Sequence, residues 1–234
     1  SVRKNAAWAD SIDLAQVKAV ANATGTTVND VLISNLAGAL REYMIKHDQN
    51  PNELVINATV PVNLRPLEHA KNLGNHFGLV FLKLPIFESN PLRRLAYVHN
   101  EMNELKKSKQ AIVSFGLLSA IGMAPAAVQN MLLDLFSKKA TTVLTNVPGP
   151  QVPLYVSGTK VEKIMFWVPQ NGTIGMGISI LSYNNKVEFG LIVDKNLVSD
   201  PENVIKEFPY QFDGLLDCMM MHPWDGEIHA DLFG

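Results

Sequence analysis

The chain has 234 residues, 47% of them hydrophobic and 18% charged, a balance that excludes a disordered polypeptide. That length allows one large domain or two small ones. The formal net charge is −2 and no basic run carries interleaved aromatics, so nothing points to nucleic acid. The single cysteine, Cys218, excludes an intrachain disulfide framework and a cysteine-based zinc site, and is compatible with a reducing compartment.

Ser1-Val2-Arg3-Lys4 holds neither an initiator methionine nor a signal-peptide core, as expected of a chain that begins inside a longer protein. Leu14, Val17, Val20 and Ala21 then make an apolar stripe at helical spacing, with Gly25 placed to end the helix. Thr27-Val28-Asn29-Asp30 opens a second helix as a capping box, Thr27 at the N-cap and Asp30 reaching back. Its body, Val31 to Lys46, is so apolar that it belongs mostly in the core. Leu54 to Pro61 reads as a strand, followed by a proline-bounded loop through Asn63-Leu64-Arg65-Pro66. His76 to Leu84 is a second strand, entered through Gly74-Asn75. Pro91 to Lys109 is a helix with Leu92, Leu95, Val98, Met102 and Leu105 on one face.

Gln110 to Leu133 holds no charged residue and is long enough to span a bilayer. Gly116, Gly122 and Pro125 interrupt it, and Ser114, Ser119, Gln129 and Asn130 dilute its hydrophobicity. Two short helices broken near Pro125 are expected. They are either packed core or an apolar face touching lipid, with Lys106, Lys107, Lys109, Lys138 and Lys139 near the headgroups.

Thr141 to Leu144 is a β-branched run that reads as a buried strand and stops at Pro148-Gly149-Pro150. Pro148 biases Val147 to extended geometry, and Gly149 is expected to take the positive φ of a tight turn. Thr145 and Asn146 then sit at the lip of a rigid turn. They either line a ligand channel, or Asn146 simply caps its own backbone. Three further strands are expected, Val161 to Val168, Gly175 to Tyr183 and Lys186 to Asp194, the last two joined by Asn184-Asn185 as a two-residue hairpin. Asp200-Pro201 supplies an N-cap and an N1 proline for a last helix, which Pro209 should interrupt. The whole reads as mixed α/β, a mixed sheet with flanking helices.

No residue announces itself as a nucleophile or general base. The six histidines, His47, His69, His76, His99, His222 and His229, fall in no metal-ligand spacing. There is no nucleophile elbow and no phosphate-binding loop. Gly172-Thr173-Ile174-Gly175-Met176-Gly177 has its glycines in the wrong order for a dinucleotide site and reads as a turn leading into a closely packed strand.

Five motifs in order carry more: Thr27 to Val31, Pro61-Val62-Asn63-Leu64-Arg65, Leu73-Gly74-Asn75-His76-Phe77, Thr145 to Pro150, and Leu181-Ser182-Tyr183 with Phe189-Gly190-Leu191. In that order the chain resembles the C-terminal domain of the bifunctional wax ester synthase/acyl-CoA:diacylglycerol acyltransferase family, from about Ser11 to Phe208. The resemblance implies one half of a two-half architecture like chloramphenicol acetyltransferase and the peptide-synthetase condensation domains, with a tunnel between the halves. The chain is then one C-terminal half-domain over 1–234, its core about 11–208 and 209–234 a tail.

In that family a histidine general base activates an acceptor alcohol, which attacks an acyl-CoA thioester. The implied substrates are acyl-CoA and a long-chain alcohol or diacylglycerol, with no cofactor. The family's His-His-x-x-x-Asp-Gly motif is absent. The nearest string, Met221-His222-Pro223-Trp224-Asp225-Gly226, has the wrong spacing and gives His222 no catalytic role. The base is therefore expected from an N-terminal catalytic half outside this chain, which alone should transfer no acyl groups. The implied setting is cytoplasmic, peripherally attached to a membrane or lipid inclusion. The candidate tunnel-lining residues are Asn29, Asp30, Asn75, Thr145, Asn146 and Gly149, with Asp30 also explained as the helix cap and Arg65 a weaker candidate for a CoA phosphate. The alternative is a non-catalytic lipid-binding or interaction module that keeps the fold.

Overall fold

The computed structural model describes residues 3–63, 77–108, 113, 140–170 and 174–221. Strand β1 (Lys4–Trp8) and the short β2 (Ile12–Asp13) lead into helix α1 (Leu14–Ala23). The predicted stripe of Leu14, Val17, Val20 and Ala21 is the buried face of that helix. Thr24 closes it, and Gly25 follows at φ 64°, the left-handed region open to glycine.

Helix α2 (Val28–Lys46) begins with the predicted capping box. The Thr27 side chain accepts from the Asp30 N–H at 3.2 Å, and the Thr27 N–H donates to Asp30 Oδ2 at 3.0 Å. Val31 to Leu40 is buried without interruption, as its composition requires. Strands β3 (Val55–Asn63) and β4 (Phe77–Pro85) pair antiparallel over nine registered residues. Helix α3 (Pro91–Lys107) is capped by Asn90, whose side chain accepts from the Leu92 and Arg93 N–H groups. Strand β5 (Thr142–Pro148), the small β6 (Tyr155–Val156) and β7 (Thr159–Lys160), strands β8 (Met176–Tyr183) and β9 (Lys186–Asp194), and helix α4 (Pro201–Met220) complete the order.

The main sheet has the order β1-β9-β8-β5-β3-β4, with β2 also on β9. Its centre is parallel, β3 to β5 and β5 to β8, and its flanks are antiparallel. This is the mixed α/β architecture expected. Alternate residues of β9 (Val187, Phe189, Leu191 and Val193) enter the same core as the helices, and Phe189 stacks on Phe208 of α4 at 4.2 Å. Helices α2, α3 and α4 form the layer over that face.

One charged side chain ties the helical layer together. Arg94 of α3 is 2% exposed and donates to Ser34 O of α2 at 3.0 Å, Glu88 O at 3.1 Å and Gln211 Oε1 of α4 at 3.1 Å. Burial lowers its pKa to about 10, still high enough to keep the charge. Gly38 makes the space: a Cβ there would collide with the Arg94 guanidinium and the Gln211 amide.

Several sequence expectations need correction. Val161 to Val168 is not a strand; the chain there runs across the sheet face away from the helices. Carbons added at Gly190 and Gly177 show how near it comes. The first would meet Met165 Cε at 2.7 Å, the second Val168 O at 3.0 Å. Tyr183 holds this crossing, accepting from Leu154 N–H and donating to Val161 O, both at 2.8 Å. The branched and aromatic residues of Ile164 to Val168 suit a strand, but the segment lies over the sheet, partly covered, rather than in it.

Pro209 does not interrupt α4, which runs on to Met220; proline removes one N–H, but the helix is held by Val204, Ile205, Phe208, Phe212 and Leu215 in the core. Asp200 precedes α4 but its side chain makes no cap bond, being taken instead by Tyr43 and His47. Strand β1, anticipated by nothing in the sequence reading, forms the sheet edge against β9. Apart from Val113, the predicted helices in Gln110 to Leu133 lie outside the described residues, as do Arg65 and His222. Asn184 and Asn185 do make the two-residue hairpin turn, at φ 47° and 60°.

Candidate functional site

The lip begins with strand β5. Thr142 and Leu144 are buried towards the helices, and Asn146, two residues on, lies on the same face. There its Nδ2 donates to Oδ1 of Asn29 in the first turn of α2, at 2.9 Å. The C-terminal end of a central parallel strand is thus fastened to a helix N-terminus, a place where polar ligand atoms are readily held. Among the described residues, the Asn29 amide donor and the Asn146 carbonyl oxygen keep capacity for a further bond.

The turn after β5 is fixed by the β8–β9 hairpin. The Gly149 N–H donates to Ser182 O at 2.9 Å, and Asn184 N–H to Pro150 O at 3.0 Å. Gln151 donates to Gly149 O at 2.8 Å and to Ser182 Oγ at 3.1 Å, while its own carbonyl accepts from Asn185 N–H at 3.0 Å. Gly149 does not adopt the positive φ expected of it. Its smallness serves a close approach, since a Cβ would stand 2.5 Å from Ser182 O. The Thr145 to Pro150 and Leu181 to Tyr183 motifs are one structural unit.

Thr145 points the other way, because successive strand residues alternate. It is in register with Ser179 of β8, Ser179 with Gly190 of β9, and Gly190 with Trp8 of β1. A row of small side chains therefore crosses the sheet on the face away from the helices. Trp8 and Trp167 meet edge to face at its end, with centroids 6.4 Å apart. The sequence reading missed Ser179 and Gly190 as members of this row, which only strand register reveals.

Asp30 is fully buried, and its Oδ2 also receives His99 Nδ1 of α3 at 2.8 Å. The cap expected of it is therefore real, and it carries a second contact that the sequence did not announce. Of the six candidate residues, Asn29, Asp30, Asn146 and Gly149 are brought to one edge of the molecule. Thr145 is on the opposite face of the sheet, and Asn75 lies outside the described residues. Among the described residues no cluster of histidine, cysteine or carboxylate could hold a metal ion, and no helix is long and apolar enough to cross a membrane.

Residues 73–215, more than half of the chain, match the WS/DGAT C-terminal domain. The chain belongs to that family. It is 28% identical to O-acyltransferase WSD of Acinetobacter baylyi over 89% of this chain and 46% of that protein. It is 33% identical to a probable diacylglycerol O-acyltransferase of Mycobacterium tuberculosis over 79% of this chain and 41% of that one. The wax ester synthase/diacylglycerol acyltransferase of Marinobacter aquaeolei VT8 superposes with a TM-score of 0.68 at 27% identity, over 92% of this chain and 49% of that chain. An epimerization domain of tyrocidine synthetase shares the fold alone, at TM-score 0.60 and 11% identity. The chain spans under half the length of these relatives.

Proposed function

We propose that this chain is the C-terminal half of an O-acyltransferase that moves a fatty acyl group from acyl-CoA to a long-chain alcohol or diacylglycerol. In this reading it forms the tunnel wall opposite a histidine general base carried by an N-terminal half. The observation that carries it is the lip itself. The family motifs Thr27 to Val31, Thr145 to Pro150 and Leu181 to Tyr183, distant in sequence, converge on the Asn29–Asn146 bond and the turn packed on Ser182. Side-chain amides at that edge offer a donor and an acceptor to a thioester carbonyl or an alcohol.

Membrane or lipid-inclusion attachment belongs to the same reading, supported by the lysines that flank Gln110 to Leu133. Binding to anionic vesicles at low salt is the check, and failure to bind removes that part alone.

The activity is tested with a polypeptide that joins this chain to an upstream half bearing the His-His-x-x-x-Asp-Gly motif. Supplied with palmitoyl-CoA and hexadecanol or diacylglycerol, it should form ester and release free CoA, and Asn146→Ala should slow it. An inactive polypeptide that still binds vesicles would favour the non-catalytic lipid-binding module.

A further inference from the structure

Neither His99 nor Asn103 stands out in the sequence, yet the two form a chain that ends on the lip. The Asp30 carboxylate is 0% exposed, and its Oδ1 has no hydrogen-bond partner among the described residues. The whole load falls on Oδ2, which takes the Thr27 N–H at 3.0 Å and His99 Nδ1 at 2.8 Å. His99 Nε2 in turn lies 2.9 Å from Nδ2 of Asn103, one helical turn further along α3. An amide nitrogen only donates, so Nε2 accepts and the ring proton sits on Nδ1, facing Asp30.

We infer that His99 and Asn103 are positioning residues for the Asn29–Asn146 pair, acting through the buried Asp30 carboxylate. This rests on the reading of that pair as part of a transferase lip. Asp30 directly follows Asn29, so whatever fixes the carboxylate fixes the turn from which Asn29 projects. Helix α3 is a stable anchor, because Arg94 bonds it to both α2 and α4. A fully buried carboxylate with two donors cannot lose one without seeking another, and the first turn of α2 would move to do so. The helix itself would persist, since Thr27 still caps the Asp30 N–H.

The test has two arms. In the ¹⁵N-labelled chain, the His99 ring signals should report Nδ1 as the donor and Nε2 as the acceptor. The side-chain amide signals of Asn29 and Asn146 should shift in His99→Phe and return towards their original places in His99→Gln, which keeps an N–H donor. In the polypeptide with the catalytic half, His99→Phe should lower kcat about tenfold or more while KM for acyl-CoA stays within about twofold. His99→Gln should recover most of the loss.

Unmoved Asn29 and Asn146 signals in a folded His99→Phe variant overturn the inference, as does an unchanged kcat in an active enzyme. Wild-type polypeptide without transfer counts against the proposed function instead, and the spectroscopic arm then decides positioning alone. If His99→Phe does not fold, Asn103→Leu decides. It should release His99 into a tautomer mixture and shift the same two amide signals, and a ring still wholly Nδ1-protonated with both signals unmoved overturns the inference.

Discussion

The side-chain amide of Asn146 donates to Oδ1 of Asn29 at 2.9 Å, joining residues 117 positions apart at the end of a central strand and the start of a helix. The bond is part-buried and neutral, so its net worth is modest. A double-mutant cycle of Asn29→Ala and Asn146→Ala, followed by urea unfolding of the chain, should return a coupling of about 0.5–1.5 kcal/mol. Additive single effects would mean the contact is not formed in solution.

Gly149 sits against a main-chain oxygen, which cannot swing aside as a flexible side chain can. Gly149→Ala should therefore destabilise by about 1–3 kcal/mol and loosen the β8–β9 hairpin. Hydrogen exchange should speed up at Gly149 and Asn184, whose N–H groups make the bonds across this turn.

Two helical glycines should respond in opposite directions to alanine. Gly38→Ala pushes on the Arg94 guanidinium, buried and held by carbonyl oxygens of α2, α4 and the loop before α3, and should cost about 2–4 kcal/mol. Gly214 of α4 is exposed, with nothing within 4 Å of an added Cβ, and its replacement should stabilise by about 0.5–1 kcal/mol. Thermal melts of the two variants decide both signs.

His47 closes the other end of α2 and should make stability depend on pH. Its Nδ1 lies 2.9 Å from Tyr43 O and its Nε2 3.1 Å from Asp200 Oδ2, so both nitrogens face acceptors and the imidazolium suits the site. The Tyr43 carbonyl foremost, with Asp200, raises the His47 pKa above its ordinary value. The Tyr43 hydroxyl and then the Asn203 amide hold Asp200 at about 2. Asp48 and the Lys46–Glu207 pair, 2.6 Å apart, lie close by. A raised histidine contributes fully below its unfolded value of 6.5 and is lost as pH rises through the folded one. A depressed aspartate contributes above 3.8 and is lost as pH falls towards 2. Melting temperature should thus fall between about pH 6 and 8, and His47→Asn should flatten that slope. The effect should be small, because the two side chains remain 35% and 31% exposed.

Local signals were legible where local physics decides. The Thr27–Asp30 box, the Asn184-Asn185 turn and the apolar stripe of α1 each depend on neighbours within a few residues. The failures are tertiary. Strand β1 exists because β9 offers it an edge, and α4 survives Pro209 because Phe208 and Phe212 bury on the sheet. The segment after Val161 has strand-like composition but lies over Gly177 and Gly190, whose smallness only sheet register explains. The site divides in the same way. Asn29, Asp30, Asn146 and Gly149 were named from motifs, but that Asn29 bonds Asn146, and that His99 reaches Asp30, required the fold.

In the proposed division of labour this chain supplies a lip and wall while the base comes from another half. Reconstitution measures it directly: ester formation from palmitoyl-CoA and hexadecanol by the purified chain, with and without a separately produced half bearing the histidine motif. No ester above background from the chain alone, and ester formation once the other half is added, is the predicted result. Acyl transfer by the chain alone would contradict it.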